Sequence, residues 1–486
     1  MHVMTWWPLA SAILHILVQT VLVLRLLMRR QPLANTHAWL LLVLFLPIAG
    51  VILYLLIGEN RLGVHRLKRA NASRAALEHA GASLWALAEQ HWTPEEDRFR
   101  HLAHLGANLC HTPAIVGNDL ELLHDAETTL ARLIADIDAA QSTCHVLTFI
   151  FQPNGEPLKV VDALIRAAQR GVTCRLALDG AGSRSFLRSH HPRRLRHAGV
   201  HVVELLPVRL ARLPFARIDL RNHRKICVID HHIAYCGSQN ITDSTFKPPG
   251  SHAGPWIDAT VRMVGPAARA LDLVFAADWN ADAPDQITEP FANAPPPQVE
   301  HATEPATVQL LPSGPGQQPR AIQSAIVTTI YAAREELIMT TPYFAPDQTV
   351  LAALIAAADR GVDVTLVVPA KGDKRLVAAA GRAAYADLLD AGVRIMLYKP
   401  GLLHAKTITV DRDVALIGSA NLDRRSFWIN FEVTTAIYDT DFASQLRRLQ
   451  RTYIHHADPV DAKTWSARTA WTRLKENIAQ LMSPLL

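Results

Sequence analysis

Six residues occur twice in this chain at one and the same spacing: His223, Lys225, Asp230, Gly237, Ser238 and Asn240, then His404, Lys406, Asp411, Gly418, Ser419 and Asn421. Packing alone does not call for such a coincidence inside otherwise apolar stretches. On a strand, residues two apart project from one face, so each His aligns with its Lys and each Ser with its Asn. Each copy can therefore turn an imidazole, an ammonium, a hydroxyl and an amide toward one point. Two copies facing one another make a phosphate site that calls for no metal and no cofactor. The lysines, with Ser238, Asn240, Ser419 and Asn421, would neutralise and hydrogen-bond the non-bridging oxygens. One imidazole would attack phosphorus and the other protonate the departing alcohol.

A nucleophilic imidazole must be neutral and held in one orientation, which calls for a carboxylate on its second nitrogen. Asp258, in Trp256-Ile257-Asp258, and Glu432, in Asn430-Phe431-Glu432, follow the two motifs at positions suited to that role, and a structural ion pair is the alternative for both. Asp230 and Asp411 fall where each motif hairpin must turn, where an Asx-type bond explains them at least as well as chemistry does. Other signals are weaker. Gly180-Ala181-Gly182 lacks the third glycine of a dinucleotide loop, no GxSxG elbow or Walker loop occurs, and adjacent histidine pairs such as His190-His191 are not at i,i+4 ligand spacing. Five scattered cysteines without a CxxC pair indicate neither a disulfide framework nor a zinc ribbon.

The elements that must position these groups come in duplicate as well. Beyond about residue 105, each half opens with a strand-like stretch and a helix, Leu120–Leu123 then Ala126–Ala140, and Val308–Leu311 then Ala321–Ala333. A strand follows, then a helix ending in Arg170-Gly171-Val172 or Arg360-Gly361-Val362, where glycine suits the C-cap, then another strand. Strands alternating with helices at this spacing predict an α/β fold of two tandem α/β/α halves, each with a mostly parallel central sheet, packed as a pseudo-dimer. The halves are expected at 105–285 and 306–460, joined by a linker at 286–305 within a stretch, Pro284 to Pro319, that holds nine prolines. A C-terminal segment, 461–486, places Trp471, Leu474, Ile478 and Leu481 near one helical face, which suits docking onto the body or lying on a membrane surface equally well.

With 49% hydrophobic residues, only 19% charged ones and a net charge of +5, part of the chain belongs in lipid and the rest suits anionic partners. Two runs, about 6–27 and 38–57, are long enough to span a bilayer and predict a membrane hairpin over residues 1–65. Arg61, Arg66, Lys68, Arg69 and Arg74 after the second run outnumber Arg29 and Arg30 in the connector. The positive-inside rule then puts the body in the cytoplasm and the N-terminus on the same side, with Arg25 snorkelling to the opposite interface. Between Leu205 and Arg221, apolar residues such as Leu210 and Phe215 alternate with Arg209, Arg212 and Arg217, a pattern suited to lipid headgroups or to an ordinary insert over the core.

The doubled HxKxxxxD motif with its GSxN continuation resembles the phospholipase D superfamily over essentially the whole soluble part. Within it, Leu46-Pro47, Ile57-Gly58-Glu59, Pro312-Ser313-Gly314-Pro315, Thr341-Pro342-Tyr343-Phe344, Asp423-Arg424-Arg425-Ser426-Phe427 and Ser483-Pro484-Leu485-Leu486 are similar to bacterial cardiolipin synthases of the two-span type. That resemblance implies transfer of a phosphatidyl group from one phosphatidylglycerol to another through a phosphohistidine, with release of glycerol. It implies a catalytic set of His223, Lys225, Asp230, His404, Lys406 and Asp411, with His223 favoured as nucleophile, and no cofactor. It also implies a bacterial inner-membrane enzyme whose partners are phosphatidylglycerol and anionic lipids, not nucleic acid. A hydrolase of the same superfamily using water, or an idle membrane scaffold, are the other readings. The intact motifs count against the scaffold.

Overall fold

The computed structural model describes residues 6–29, 33–88, 96–208, 216–248, 253–288, 291, 305–316, 318 and 320–482. Arg209, Leu210, Arg212 and Phe215 of the basic, apolar insert, most of the 286–305 linker and the terminal Ser483–Leu486 lie outside these residues.

Each half is built on three parallel strands, Thr143–Thr148, Thr173–Asp179 and His201–Leu205 in the first, and Glu336–Thr340, Asp363–Pro369 and Arg394–Tyr398 in the second. The motif hairpin pairs antiparallel with the first strand of each trio, Ile226–Ile229 with Ile233–Gly237, and Thr407–Val410 with Val414–Gly418. Next come Thr260–Val264 and Ile115–Leu123 in one half and Glu432–Tyr438 and Ala306–Ser313 in the other, all antiparallel. Ile115–Leu123 and Ala306–Ser313 meet antiparallel, so the halves share one 15-stranded sheet whose strand order reads the same outward from the centre, except that the second half ends on an extra edge strand, Ala457–Pro459. The expected mostly parallel sheets are therefore mixed. Parallel pairing needs a helical crossover, which joins the three outer strands of each half, while the motif hairpin turns back directly and the central strands pair antiparallel with partners far along the chain.

Local chemistry agrees with this topology. Asp125, Asp347 and Asp439 cap helices by accepting from the N–H groups of Thr128, Val350 and Phe442. Gly171 and Gly361 take φ of 96° and 88° just after the crossover helices. Val172 and Val362 then donate back to the Ala167 and Ala357 carbonyls at 3.1 Å, the same helix ending in both halves.

The N-terminal region departs from the two-span expectation. Trp7–Met28 is one long helix, and its stretch Leu9–Met28 is the one segment among the described residues long and apolar enough to cross a membrane. The second run is two helices, Leu33–Phe45 and Pro47–Ile57, folded back on each other at Leu46. Trp39 and Tyr54 meet edge to face across the fold at 5.4 Å, and the bend is tight enough that a Cβ at Gly50 would strike the Leu42 carbonyl. Arg25, from the last turn of the long helix, holds Glu59 at 2.6 Å.

Candidate active site

The two motif hairpins flank the four central strands of the sheet, and two short parallel bridges cross between the halves. Asn222 pairs with Phe431, and Leu403 with Ile257. The His223 N–H donates to the Phe431 carbonyl at 2.9 Å, and the His404 N–H to the Ile257 carbonyl at 2.7 Å. Each histidine is thereby delivered to the carboxylate that follows the other motif. His223 Nδ1 lies 3.0 Å from Glu432 Oε2, and His404 Nδ1 lies 2.6 Å from Asp258 Oδ1. With Nδ1–H donated, Nε2 of each ring is the free acceptor.

Ser238 and Ser419 take a different place from the phosphate contacts expected of them. Each is fully buried, donates to Asp258 or Glu432 at 2.5 Å, and accepts the N–H of Ala259 or Val433 at 3.0 Å. They brace the carboxylates. Gly237 and Gly418 permit this, because a Cβ on either would collide with the Ala259 or Val433 carbonyl. Lys225 and Lys406 curl back onto the carbonyls of their own motif histidines, at 2.6 and 2.5 Å. Asn240 Oδ1 accepts the Ile150 N–H at 3.0 Å while its buried Nδ2 has no partner among the described residues. Asn421 lies 3.2 Å from Ser426 Oγ, with a free buried Oδ1.

Asp230 and Asp411, taken from the resemblance as part of the catalytic set, sit at the far tips of the hairpins. Four strand residues separate each from its lysine, five steps or roughly 16 Å of chain. The Asp230 carboxylate accepts the N–H groups of Gln141, Ser142 and Thr143 at 2.7 to 2.9 Å, and Asp411 accepts those of Arg334, Glu335 and Glu336 at 2.7 to 2.9 Å. Both have φ of 50°, and the next residues, His231 and Arg412, are also left-handed, a conformation Asp tolerates in tight turns. Their bonds tie the turn to the start of the neighbouring strand, which is the turn role and not a chemical one.

His223, His404 and Asn421 line a cavity of about 240 Å³ between the halves, whereas Lys225, Lys406 and Asn240 are not among its lining residues. Trp256 stacks on His404 at 4.0 Å with 19° between the rings, and Phe149 meets His223 edge-on at 5.0 Å. At the corresponding place in the other half, Asn430 Nδ2 donates to Glu432 Oε1 at 3.1 Å, so the two half-sites are not equivalent. Arg221, Lys374, Arg424 and Arg425 make the rim cationic, while Asp423 and the pair Tyr343–Asp373, at 2.8 Å, add acceptors. Trp256, Asn430, Tyr343 and the Arg424-Arg425 pair stood in recognisable sequence stretches without an assigned task; Asp373 and Lys374 carried no signal.

The charges sort themselves by environment. Burial pushes His223 down to about 4 and His404 to about 3, outweighing the carboxylates that oppose it, so both rings are neutral near pH 7. Burial lowers Lys225 to about 7 and Lys406 to about 8. For Asp258 burial acts upward, but the His404 charge and hydrogen bond, Lys406 and Ser238 overcome it and hold the group at about 2. Burial likewise acts upward on Glu432 and is overcome by His223, Lys225 and Ser419, leaving it below its ordinary value. Burial raises Asp423 to about 6. The result is two neutral, oriented imidazoles backed by fixed carboxylates in a cavity rimmed with cations, an arrangement fit for in-line transfer at a phosphodiester. Among the described residues no group of His, Cys, Asp and Glu is placed to hold a metal ion.

Two family models match the chain. One, described as cardiolipin synthase, PLD-like domain, matches residues 133–251 and again 326–452. The other, described as phospholipase D-nuclease N-terminal, matches residues 17–59. Cardiolipin synthase A of Yersinia pseudotuberculosis serotype IB (strain PB1/+) is 40% identical over 475 residues, 95% of each chain. Cardiolipin synthase A of Yersinia pestis is 40% identical over 478 residues, again 95% of each. Among solved structures, phosphatidylserine synthase of Haemophilus influenzae Rd KW20 superposes with a TM-score of 0.58 at 14% identity, covering 79% of this chain and all of that one, a likeness of fold.

Proposed function

The chain belongs to the cardiolipin synthase family of phospholipase D-like proteins, and from that premise we propose that it joins two phosphatidylglycerol molecules into cardiolipin, releasing glycerol, in the cavity between its halves. It is a phosphatidyltransferase, and the observation that carries the mechanism is the crossed pairing of each motif histidine with the carboxylate of the other half.

In the first step the His223 Nε2 lone pair attacks phosphorus, and the bond from phosphorus to the glycerol headgroup oxygen breaks. Protonated His404 gives its Nε2 proton to the leaving oxygen. In the second step the free glycerol hydroxyl of another phosphatidylglycerol attacks the phosphohistidine, His404 takes back the proton, and the P–N bond breaks. His404 is neutral in the empty cavity; a phosphodiester anion beside it, with Asp258 behind it, favours its imidazolium. Lys225, Lys406, Asn240 and Asn421 hold the non-bridging oxygens, and the two lysines must swing from the histidine carbonyls to do so. Ser238 and Ser419 act through the carboxylates, and Asp230 and Asp411 through the hairpin turns. In this reading the two halves of the site are carried by residues 105–285 and 306–460.

The expected partners are phosphatidylglycerol and other anionic lipids of a bacterial inner membrane, with the body in the cytoplasm because the basic group after the apolar segment is on its side. A phosphatidyl ester of p-nitrophenol tests the roles, since that leaving group needs no acid. His404→Ala should accumulate phosphatidyl on His223, mapped by mass spectrometry, and His223→Ala should form no adduct. An adduct on His404 alone would reverse the two roles. Phosphatidic acid as sole product from phosphatidylglycerol would make the protein a hydrolase.

A further inference from the structure

The apolar segment 33–57 begins and ends on the same face of the soluble body. At its start, Asn35 Oδ1 accepts from Arg424; just past its end, Asn60 Nδ2 donates to the Trp428 carbonyl at 2.9 Å. Both partners belong to one short helix, Arg424–Trp428. Arg25, in the last turn of Trp7–Met28, holds Glu59, which also accepts from Tyr54 at 2.8 Å. The C-terminal ends of the long helix and of Pro47–Ile57 are thus side by side, whereas two successive crossings would hold them about 30 Å apart. Helices of 13 and 11 residues reach only about 20 and 17 Å, short of a full crossing. The bend is also made tolerable for lipid. Pro47 has no N–H for the Val43 carbonyl four residues earlier, and the Gln19 amide of the long helix donates to that carbonyl at 2.9 Å.

A second element faces outward beside the same cavity. Helix Ala470–Met482 packs on Arg375–Ala383 through buried Ala479 and through Glu476, which binds Arg382 at 2.9 Å and Arg468 at 2.6 Å. Its opposite face leaves Trp471 64%, Leu474 47%, Ile478 52% and Leu481 75% exposed, flanked by exposed Arg473 and Lys475. An apolar stripe with a tryptophan and basic flanks complements the interface of an anionic bilayer. The two elements frame one opening: Lys374 and Val377 line the cavity beneath this helix, and Arg424 lines it beside the folded-back pair.

We propose that the chain crosses the membrane once, and that residues 33–57, as a re-entrant helix pair, and the outer face of Ala470–Met482 both meet the leaflet on the side of the body, so that the cavity opens onto that single leaflet. The N-terminus then lies across the membrane from the body, opposite to the side expected from a two-span hairpin. Lipid can reach the site from one leaflet without leaving it.

Full-length protein with Cys110→Ser, in sealed vesicles of known orientation made of phosphatidylglycerol and phosphatidylcholine with part of the latter brominated on its acyl chains, tests this. Trp6→Cys and Lys68→Cys should react with a membrane-impermeant thiol reagent from opposite faces; reaction from the same face would restore two crossings and overturn the re-entrant pair. Environment-sensitive probes on Leu46→Cys and Ile478→Cys should be blue-shifted and lose a large part of their emission to brominated lipid. A water-like, unquenched probe at Ile478 would overturn the lipid contact. So would a blue-shifted, unquenched one that depends on protein density, which would assign the stripe to a second copy. None of these readings requires turnover, so their failure leaves the proposed reaction standing.

Discussion

At the scale of residues, the chemistry rests on two imidazoles whose Nδ1 atoms are claimed by carboxylates from the opposite half. Asp258→Asn preserves shape but can present its N–H to the ring, favouring the wrong tautomer. We expect kcat on phosphatidylglycerol in mixed micelles to fall at least about 100-fold with KM little changed, and Glu432→Gln to do the same. The neutral histidines also make a pH prediction. Their folded values, about 4 and about 3, lie below the ordinary 6.5, so between these limits the unfolded chain binds more protons than the folded one. Stability from these sites is present above pH 6.5 and lost as pH falls toward 4. Thermal melts should show Tm dropping by several degrees over that range, and the double variant His223→Asn with His404→Asn should flatten the drop.

At the scale of elements, the hairpin is the unit that carries each half-site, and it is held at both ends by different means. At the tip, Asp230 and Asp411 each gather three backbone N–H groups. Asp230→Ala leaves those donors unpaired, and we expect a loss of about 1–3 kcal/mol in unfolding free energy, with kcat per folded molecule within a few-fold of the parent. A collapse of kcat without loss of stability would return Asp230 to the chemistry. At the base, Gly418→Ala meets the Val433 carbonyl and the Thr434 Cα, and should depress activity by shifting Ser419 away from Glu432. The folded-back pair at Pro47 shows the same economy in the apolar region: the element that breaks a helix is matched by the side chain, Gln19, that satisfies what the break exposes.

At the scale of the molecule, the halves are not two enzymes in series but one site divided between them. A continuous sheet sets the halves in register, and the bridges Asn222–Phe431 and Leu403–Ile257 exchange the partners. Double-mutant cycles on stability should therefore follow the crossed pairs. We expect His223 with Glu432, and His404 with Asp258, to couple by about 0.5–3 kcal/mol, and His223 with Asp258 by distinctly less. Equal coupling in the uncrossed pairs would contradict the exchange.

What the sequence determined by itself is what depends on short spacing. The duplicated motif, the glycine helix ends at Gly171 and Gly361, and the α/β alternation are set within a few residues of one another, so composition and period expose them. The family follows from the same local patterns. Tertiary structure alone decided the rest, because it depends on segments far apart in the chain. Which carboxylate serves which histidine follows from segments 209 and 146 residues distant, and the serines' turn from phosphate to carboxylate follows from that choice. The mixed sheet arises from pairings that no strand's own pattern encodes. Hydropathy reads 38–57 as one run because it is blind to direction; the reversal at Leu46 and Pro47 is recorded in tertiary contacts such as those of Trp39 with Tyr54 and of Arg25 with Glu59.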